Sequence, residues 1–179
     1  LRGLFFLLFL ALVGCSDEGA SSRDIFSTEG DYPGMVKVKS SGNFTYLGTD
    51  KKTAKSSERP QMKVEFDYDF MISSHEVTCG EFNELMHGTL LLDCAEYSLP
   101  AVDVNYFDAI LFANARSKSE KLDTAYTYVS ANFDGSGHCV GLEGLGFDAS
   151  REAYRLPTDA EWNFVAESAG ESSNEWTAT

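Results

Sequence analysis

The sequence predicts an α+β domain with antiparallel strands, two to three short helices and much irregular structure. Three observations carry this. Apolar residues alternate from Met62 to Ile72, the period of a half-buried strand. Three segments open with N-cap chemistry and continue with helical apolar spacing. Strands and helices also intermix without the βαβ rhythm of a parallel sheet.

The elements follow in chain order. Val36 and Val38 share one strand face, Ser40-Ser41-Gly42-Asn43 has turn chemistry, and Phe44, Tyr46 and Leu47 resume an extended run, so Met35 to Leu47 reads as a hairpin. Asp50 to Pro60, rich in Lys, Ser and Thr, reads as a loop. Met62, Val64, Phe66, Tyr68, Phe70 and Ile72 then line one face of a single long strand. Thr78-Cys79-Gly80-Glu81 and Thr158-Asp159-Ala160-Glu161 are capping boxes, in which hydroxyl and carboxylate each satisfy a backbone N–H left free in the first turn. Asn105-Tyr106-Phe107-Asp108 is a weaker form. Apolar residues follow each at helical spacing: Phe82, Leu85 and Met86; Ala109, Ile110 and Ala113; Trp162, Val165, Ala166 and Ala169. Pro157 biases Leu156 towards an extended conformation just before the third cap. Thr124 to Val129 reads as a strand, Asp134-Gly135-Ser136-Gly137 as a turn, and Cys139-Val140 leads into a Gly-rich stretch.

Composition bounds the function. The 179 residues are 43% hydrophobic and 13% aromatic, which excludes wholesale disorder. Fourteen Lys and Arg stand against 28 Asp and Glu, a net charge of −14. Such a surface repels phosphates, so nucleic acid is not an expected partner. The apolar run Leu4 to Val13 is too short to span a bilayer, which needs about 20 helical residues. It suits the core of a signal peptide. Leu12-Val13-Gly14-Cys15 resembles the lipobox of bacterial lipoproteins. That resemblance implies cleavage before Cys15, a lipid on Cys15 and anchoring to the membrane of a bacterial cell envelope. Ser16 after the cysteine favours the outer membrane where the host has one. Three regions follow: a lipoprotein signal peptide over 1–14, a lipidated N-terminus and solvated tether over 15–34, and a folded domain over 35–179.

The run Ala153-Tyr154-Arg155-Leu156-Pro157-Thr158-Asp159-Ala160-Glu161-Trp162 resembles the signature of the formylglycine-generating enzyme family, the sulfatase-modifying factors. Four further pieces occur in that family's order. They are Met35-Val36-Lys37-Val38 to Gly48, Phe70-Met71-Ile72 with Glu76-Val77-Thr78, Leu99 to Val104 with Asp108-Ala109, and Glu175-Trp176-Thr177. The resemblance covers residues 35 to about 177. It implies a C-type-lectin-like fold of the formylglycine-generating-enzyme type. Enzymes of the family bind copper through two cysteines near the C-terminus and oxidise a sulfatase cysteine to formylglycine. That region is not among these residues, so a chain cut before its catalytic end is expected. Calcium, a second cation of the family, has one candidate ligand in Glu175 and needs six or more oxygen ligands.

No catalytic residue and no metal ligand is therefore assigned. The candidate structural residues are Arg155, Leu156, Pro157, Thr158, Glu161 and Trp162. Glu161 is read as a capping carboxylate, which makes Glu161→Gln cheap, and Arg155 as half of a buried ion pair. In an oxidising compartment Cys79, Cys94 and Cys139 predict one disulfide and a spare thiol; Cys79–Cys94 and Cys94–Cys139 both stand open. His75-Glu76-Val77-Thr78-Cys79 fails as a zinc-protease helix, because Cys79 stands where a second histidine is needed. His87 and His138 receive no role, and Asp67, Asp69, Asp103 and Asp108 read as a solvated face. The expected function is a non-catalytic binding or structural lipoprotein with a protein or glycan ligand. The alternatives are a truncated copper- and oxygen-dependent oxidase and a lectin-like binder.

Overall fold

The computed structural model describes residues 11–13, 25–27, 32 and 34–171. The leader other than Ala11–Val13, the lipidation candidate Cys15 and the Glu175-Trp176-Thr177 segment lie outside the described residues. Among the described residues there are ten strands and three α-helices. The strands are β1 (Ala11–Val13), β2 (Phe26–Ser27), β3 (Met35–Val38), β4 (Phe44–Leu47), β5 (Met62–Glu65), β6 (Phe70–Ser73), β7 (Tyr126–Thr127), β8 (Ser130–Phe133), β9 (Cys139–Glu143) and β10 (Gly146–Phe147). The helices are α1 (Cys79–Met86), α2 (Tyr106–Ser119) and α3 (Asp159–Glu171). All strand pairs are antiparallel: one four-stranded sheet ordered β1-β6-β3-β2, and three two-stranded ladders. The α+β class with antiparallel pairing is thus the observed one.

The sequence-based reading of the strands needs two corrections. Met35 to Leu47 is not a hairpin: β3 pairs with β6, and β4 pairs with β5. The turn between them, with Gly42 at φ 77°, redirects the chain from one sheet to the other. The long alternating strand is likewise two strands, β5 and β6, in different sheets. Its alternation holds at Phe66, Phe70 and Ile72, which are all buried, and fails at Met62, which is exposed on the two-stranded ladder. What ends the ladder is a corner at Asp67 and Tyr68. The Ser40 hydroxyl donates to the Tyr68 carbonyl at 2.5 Å, and the Gly42 N–H donates to the Phe66 carbonyl at 2.9 Å. A period-2 pattern reports which face is buried, not whether the strand keeps one partner.

Phe26–Ser27, inside the segment read as a tether, pairs with Val38 and Lys37. Ile25 and Phe26 also pack on the core formed by Val38, Phe70, Ile72, Phe164 and Val165. The folded unit therefore reaches back at least to Ile25. Ala11–Val13, inside the segment read as a leader, runs beside β6, with Ala11 opposite Ile72 and Val13 opposite Phe70.

All three helices start where their capping chemistry puts them. Thr78 Oγ1 accepts from the Glu81 N–H, and the Glu81 carboxylate accepts from the Thr78 N–H. Asn105 and Asp108 close the same box on α2, and Thr158 and Glu161 on α3. Phe82 of α1 stacks on Phe112 of α2 at 5.2 Å and 12°, at the centre of the larger core. Both rings are fully buried, so this contact fixes the two helices together. α3 packs on β4, where Thr45 is buried, donates to Glu167 at 2.8 Å and accepts from Asn163 at 2.8 Å. After β4 the chain turns at Gly48, φ +72°, where a Cβ would lie 2.7 Å from the Pro60 carbonyl oxygen. Only glycine fits there. Among the described residues no helix is long and apolar enough to cross a membrane.

Candidate functional site

The signature run enters the core edge-on and holds α3 against the small sheet. Arg155 is 3% exposed and Glu161 is fully buried. Arg155 Nη1 donates to Glu161 Oε2 at 2.7 Å and Nη2 donates to Oε1 at 2.5 Å, a bidentate pair. Nη1 also donates to the Leu156 carbonyl at 3.0 Å. The same carboxylate accepts from the Thr158 N–H at 2.7 Å and from the Tyr68 hydroxyl at 3.0 Å. One side chain therefore caps a helix, neutralises a buried cation and ties in the corner between β5 and β6. Arg155 Nε is buried with no hydrogen-bond partner among the described residues.

Electrostatics follow from that packing. Burial opposes ionisation of Glu161. The Arg155 hydrogen bonds and charge, with the Thr158 N–H and Tyr68 hydroxyl, outweigh it and hold the carboxyl below the ordinary glutamate range. Burial, and then the neighbouring Glu161 charge, push the Tyr68 hydroxyl up to about 12. The capping role alone made Glu161→Gln look cheap. The geometry corrects this, because an amide NH2 would face one guanidinium N–H and leave the buried Arg155 charge without a counter-ion. Leu156 and Pro157 carry the chain into α3 half-buried, while Trp162 is 41% exposed and faces solvent.

The structure bonds Cys79 to Cys94, one of the two pairings left open, across 15 residues that include α1. Asn83 adds to this loop by donating to the Leu92 carbonyl at 2.9 Å and accepting from the Leu92 N–H at 2.7 Å. Cys139 is a free, fully buried thiol that donates to the Gly141 carbonyl. A copper dithiolate needs two thiolates in reach of one ion. With one pair oxidised and the third thiol buried against backbone, these three cysteines do not fit that cofactor. Among the described residues no group of three His, Cys, Asp or Glu side chains stands together as a metal site requires.

Asp108 departs most from its reading. It is 1% exposed rather than on a solvated face. It accepts from the Cys139 N–H at 2.7 Å and from the Asn105 N–H at 3.3 Å, and lies 2.7 Å from His138 Nδ1. His138, given no role from sequence, is thus oriented by a buried carboxylate, and the pair clamps the β8–β9 hairpin to the start of α2. Only the capping box hinted at Asp108; its 30-residue reach to His138 left no local signal. Asp67 and Asp103 are exposed, and Asp69 faces Lys37 at 3.7 Å.

A cavity of about 30 Å³ is lined by Gly34, Met35, Ser73, His75, Glu81 and Arg116, with Val77 and Tyr154. Arg116 crosses it, donating from Nε to Glu120 at 2.6 Å and lying 3.8 Å from Glu81, with Tyr154 beneath its guanidinium at 5.2 Å. The Tyr154 hydroxyl completes the network by donating to Glu120 at 2.8 Å. The volume suits water rather than an organic substrate. His75 sits at its rim, exposed, with Nδ1 at 2.8 Å from its neighbour's carbonyl.

Comparison with known proteins agrees with the signature. Residues 21–179 match the model of the sulfatase-modifying factor enzyme 1-like domain. A relative from Paenibacillus barcinonensis, named Chaperone protein LppX, is 30% identical over 176 residues. The match covers 97% of this chain and 57% of that protein, so the chain spans little more than half of its relative. No solved structure matches. The signature, its buried ion pair and the extent of the match together place this chain in the family of the sulfatase-modifying factor enzyme 1-like domain.

Proposed function

We propose that the protein is a cell-envelope lipoprotein whose sulfatase-modifying-factor-like domain binds other polypeptides and does not catalyse. The observation that carries this reading is where the reactive groups go. The three cysteines of the described domain and the two buried charged residues of the signature, Arg155 and Glu161, are consumed by the fold's own bonds. The chaperone name of the Paenibacillus relative supports a binding role. The family supports a C-type-lectin-like variant of the observed α+β fold. In this reading Cys15 carries the lipid and residues 16 to 24 link it to the sheet.

The test has two arms. Labelling with a radioactive fatty acid should mark the wild-type protein and not Cys15→Ser, and only the former should sediment with membranes. The processed protein should slow aggregation of a reduced, unfolding test protein. It should leave cysteine in a sulfatase-type peptide unoxidised in the presence of copper and oxygen. Formylglycine in that peptide would sink the binding-module reading and establish the second one, the copper-dependent oxidase that family membership favours. A glycan ligand is the third reading. The half-exposed pair Phe44 and Tyr46, with Lys63 4.2 Å over the Phe44 ring, offers the aromatic surface it would need.

A further inference from the structure

In the four-stranded sheet, ordered β1-β6-β3-β2, one side of β6 pairs with β3 and the other is covered, among the described residues, by the three-residue edge strand β1 alone. β1 belongs to the leader, upstream of Cys15. Once the leader is removed, the outer row of N–H and C=O groups of Phe70 to Ser73 loses its partner. Native sheets guard such edges with charges, prolines or bulges. This edge reads Phe70-Met71-Ile72-Ser73 and has neither charge nor proline. Both sheet faces next to it are apolar: Phe70 and Ile72 face the smaller core, and Met71 packs against the larger one.

We propose that the β6 edge is a strand-accepting site. In the processed lipoprotein it takes an extended, uncharged apolar segment of an unfolded polypeptide, antiparallel and in the register now held by Ala11–Val13. The occupant's chemistry is set by the strand already seated there, Ala11-Leu12-Val13, which pairs through its backbone with Ile72, Met71 and Phe70. Backbone pairing supplies affinity without sequence preference, as binding to many clients requires. Lys or Arg flanking the segment would favour it, because the chain carries a net charge of −14. The leader then blocks the site until cleavage opens it. This inference rests on processing before Cys15 and on the binding-module reading.

The probe is a peptide of residues 9–14 with two added lysines. It is titrated into processed wild-type protein and into Cys15→Ala protein, which keeps its leader. The processed form should bind at least tenfold more tightly, and the peptide should slow hydrogen exchange at residues 70–73. Two N-methylated peptides separate backbone pairing from simple hydrophobic capture, one methylated at positions 11 and 13 and the other at 12. In an antiparallel ladder only alternate residues of a strand exchange hydrogen bonds with a given neighbour. One pattern should therefore lose at least tenfold in affinity while the other keeps it. Equal binding to both protein forms, equal loss with both methylation patterns, or protection elsewhere than 70–73 would overturn the proposal. An intact mass showing that wild-type protein keeps its leader would end the lipoprotein reading and the inference with it. A processed protein that ignores the peptide would end the inference alone.

Discussion

Replacing Arg155 by Ala removes the counter-charge of a carboxylate that has no access to water. Glu161 would lose two charge-assisted bonds, at 2.7 and 2.5 Å, and keep only the Thr158 N–H and the Tyr68 hydroxyl. Breaking a buried pair from one side costs about 3–5 kcal/mol, because the remaining charge stays buried. That is a large share of the ~5–15 kcal/mol that holds a domain folded. With a urea slope of about 2 kcal/mol/M, the unfolding midpoint should fall by about 2 M. Circular dichroism during urea unfolding measures it. The pair also sets the acid limit of stability. Glu161 titrates below its ordinary range when folded, so the unfolded chain binds that proton more readily. The pair's stabilisation is full above the ordinary glutamate range, near pH 4.5, and is lost as the pH falls through the lowered value. Arg155→Ala should flatten that acid slope. The double variant Arg155→Met, Glu161→Gln should be more stable than Arg155→Ala, since the amide still closes the capping box and no charge stays buried. A midpoint shift under about 0.5 M for Arg155→Ala, with the acid slope unchanged, would refute the reasoning.

Other expectations follow from the same geometry. Glu161→Gln should cost about 2–4 kcal/mol rather than the few tenths expected of a capping change alone, again read by urea unfolding. Cys79→Ser or reduction should lower stability by about 3 kcal/mol, the value for a closed loop of this length. Thiol titration of the described domain should find no reactive thiol when native and one, Cys139, when denatured without reductant. Asp108→Ala should cost about 2–4 kcal/mol, since it removes a helix cap and orphans the buried Cys139 N–H. Faster hydrogen exchange confined to residues 130–143 and the start of α2 would locate that loss at the clamp. Alkaline unfolding should begin near pH 10 and be complete near pH 12 for the part of stability that Tyr68 contributes. Its hydroxyl is held protonated to about 12 when folded, so the unfolded chain gives up that proton first. Tyr68→Phe should remove this dependence.

What the sequence could tell depended on the range of each interaction. Helix starts are local: a cap and its partner lie three residues apart, so Thr78, Asn105 and Thr158 were readable with no knowledge of the fold. Burial at Phe66, Phe70 and Ile72 was readable as well, because alternation is a local property, although Met62 at the start of the same run is exposed. Partner choice was not. Whether Phe66 continues a ladder or turns a corner depends on Ser40 and Asn43, which approach from more than twenty residues away. The hairpin expected at Met35 to Leu47 failed for the same reason. Its turn is real, but the two strands have better partners elsewhere. Asp108 shows the limit most clearly, since an acidic residue that caps a surface helix and one buried against a hairpin 30 residues on share the same local sequence.

The signature run occupies an intermediate place, and that bears on what it can be used to infer. Its residues are close in sequence, so their association was legible. What they do within the fold is seen in where Arg155 and Glu161 spend their hydrogen-bonding capacity. Both Glu161 oxygens are bonded, and two of the three guanidinium nitrogens of Arg155 point back into the chain. A residue that meets a substrate must keep a donor, an acceptor or a lone pair free for it. These two keep little, since the donors left over on Arg155, its Nε–H and one Nη2–H, belong to a side chain that is buried inside the fold. The motif therefore identifies a way of locking a helix onto a sheet corner, which any member of the family can retain whether or not it oxidises anything. Activity must be argued from groups that remain open. In the described part of this chain the half-exposed pair Phe44 and Tyr46 is one such surface, and the β6 edge becomes another only once β1 leaves it.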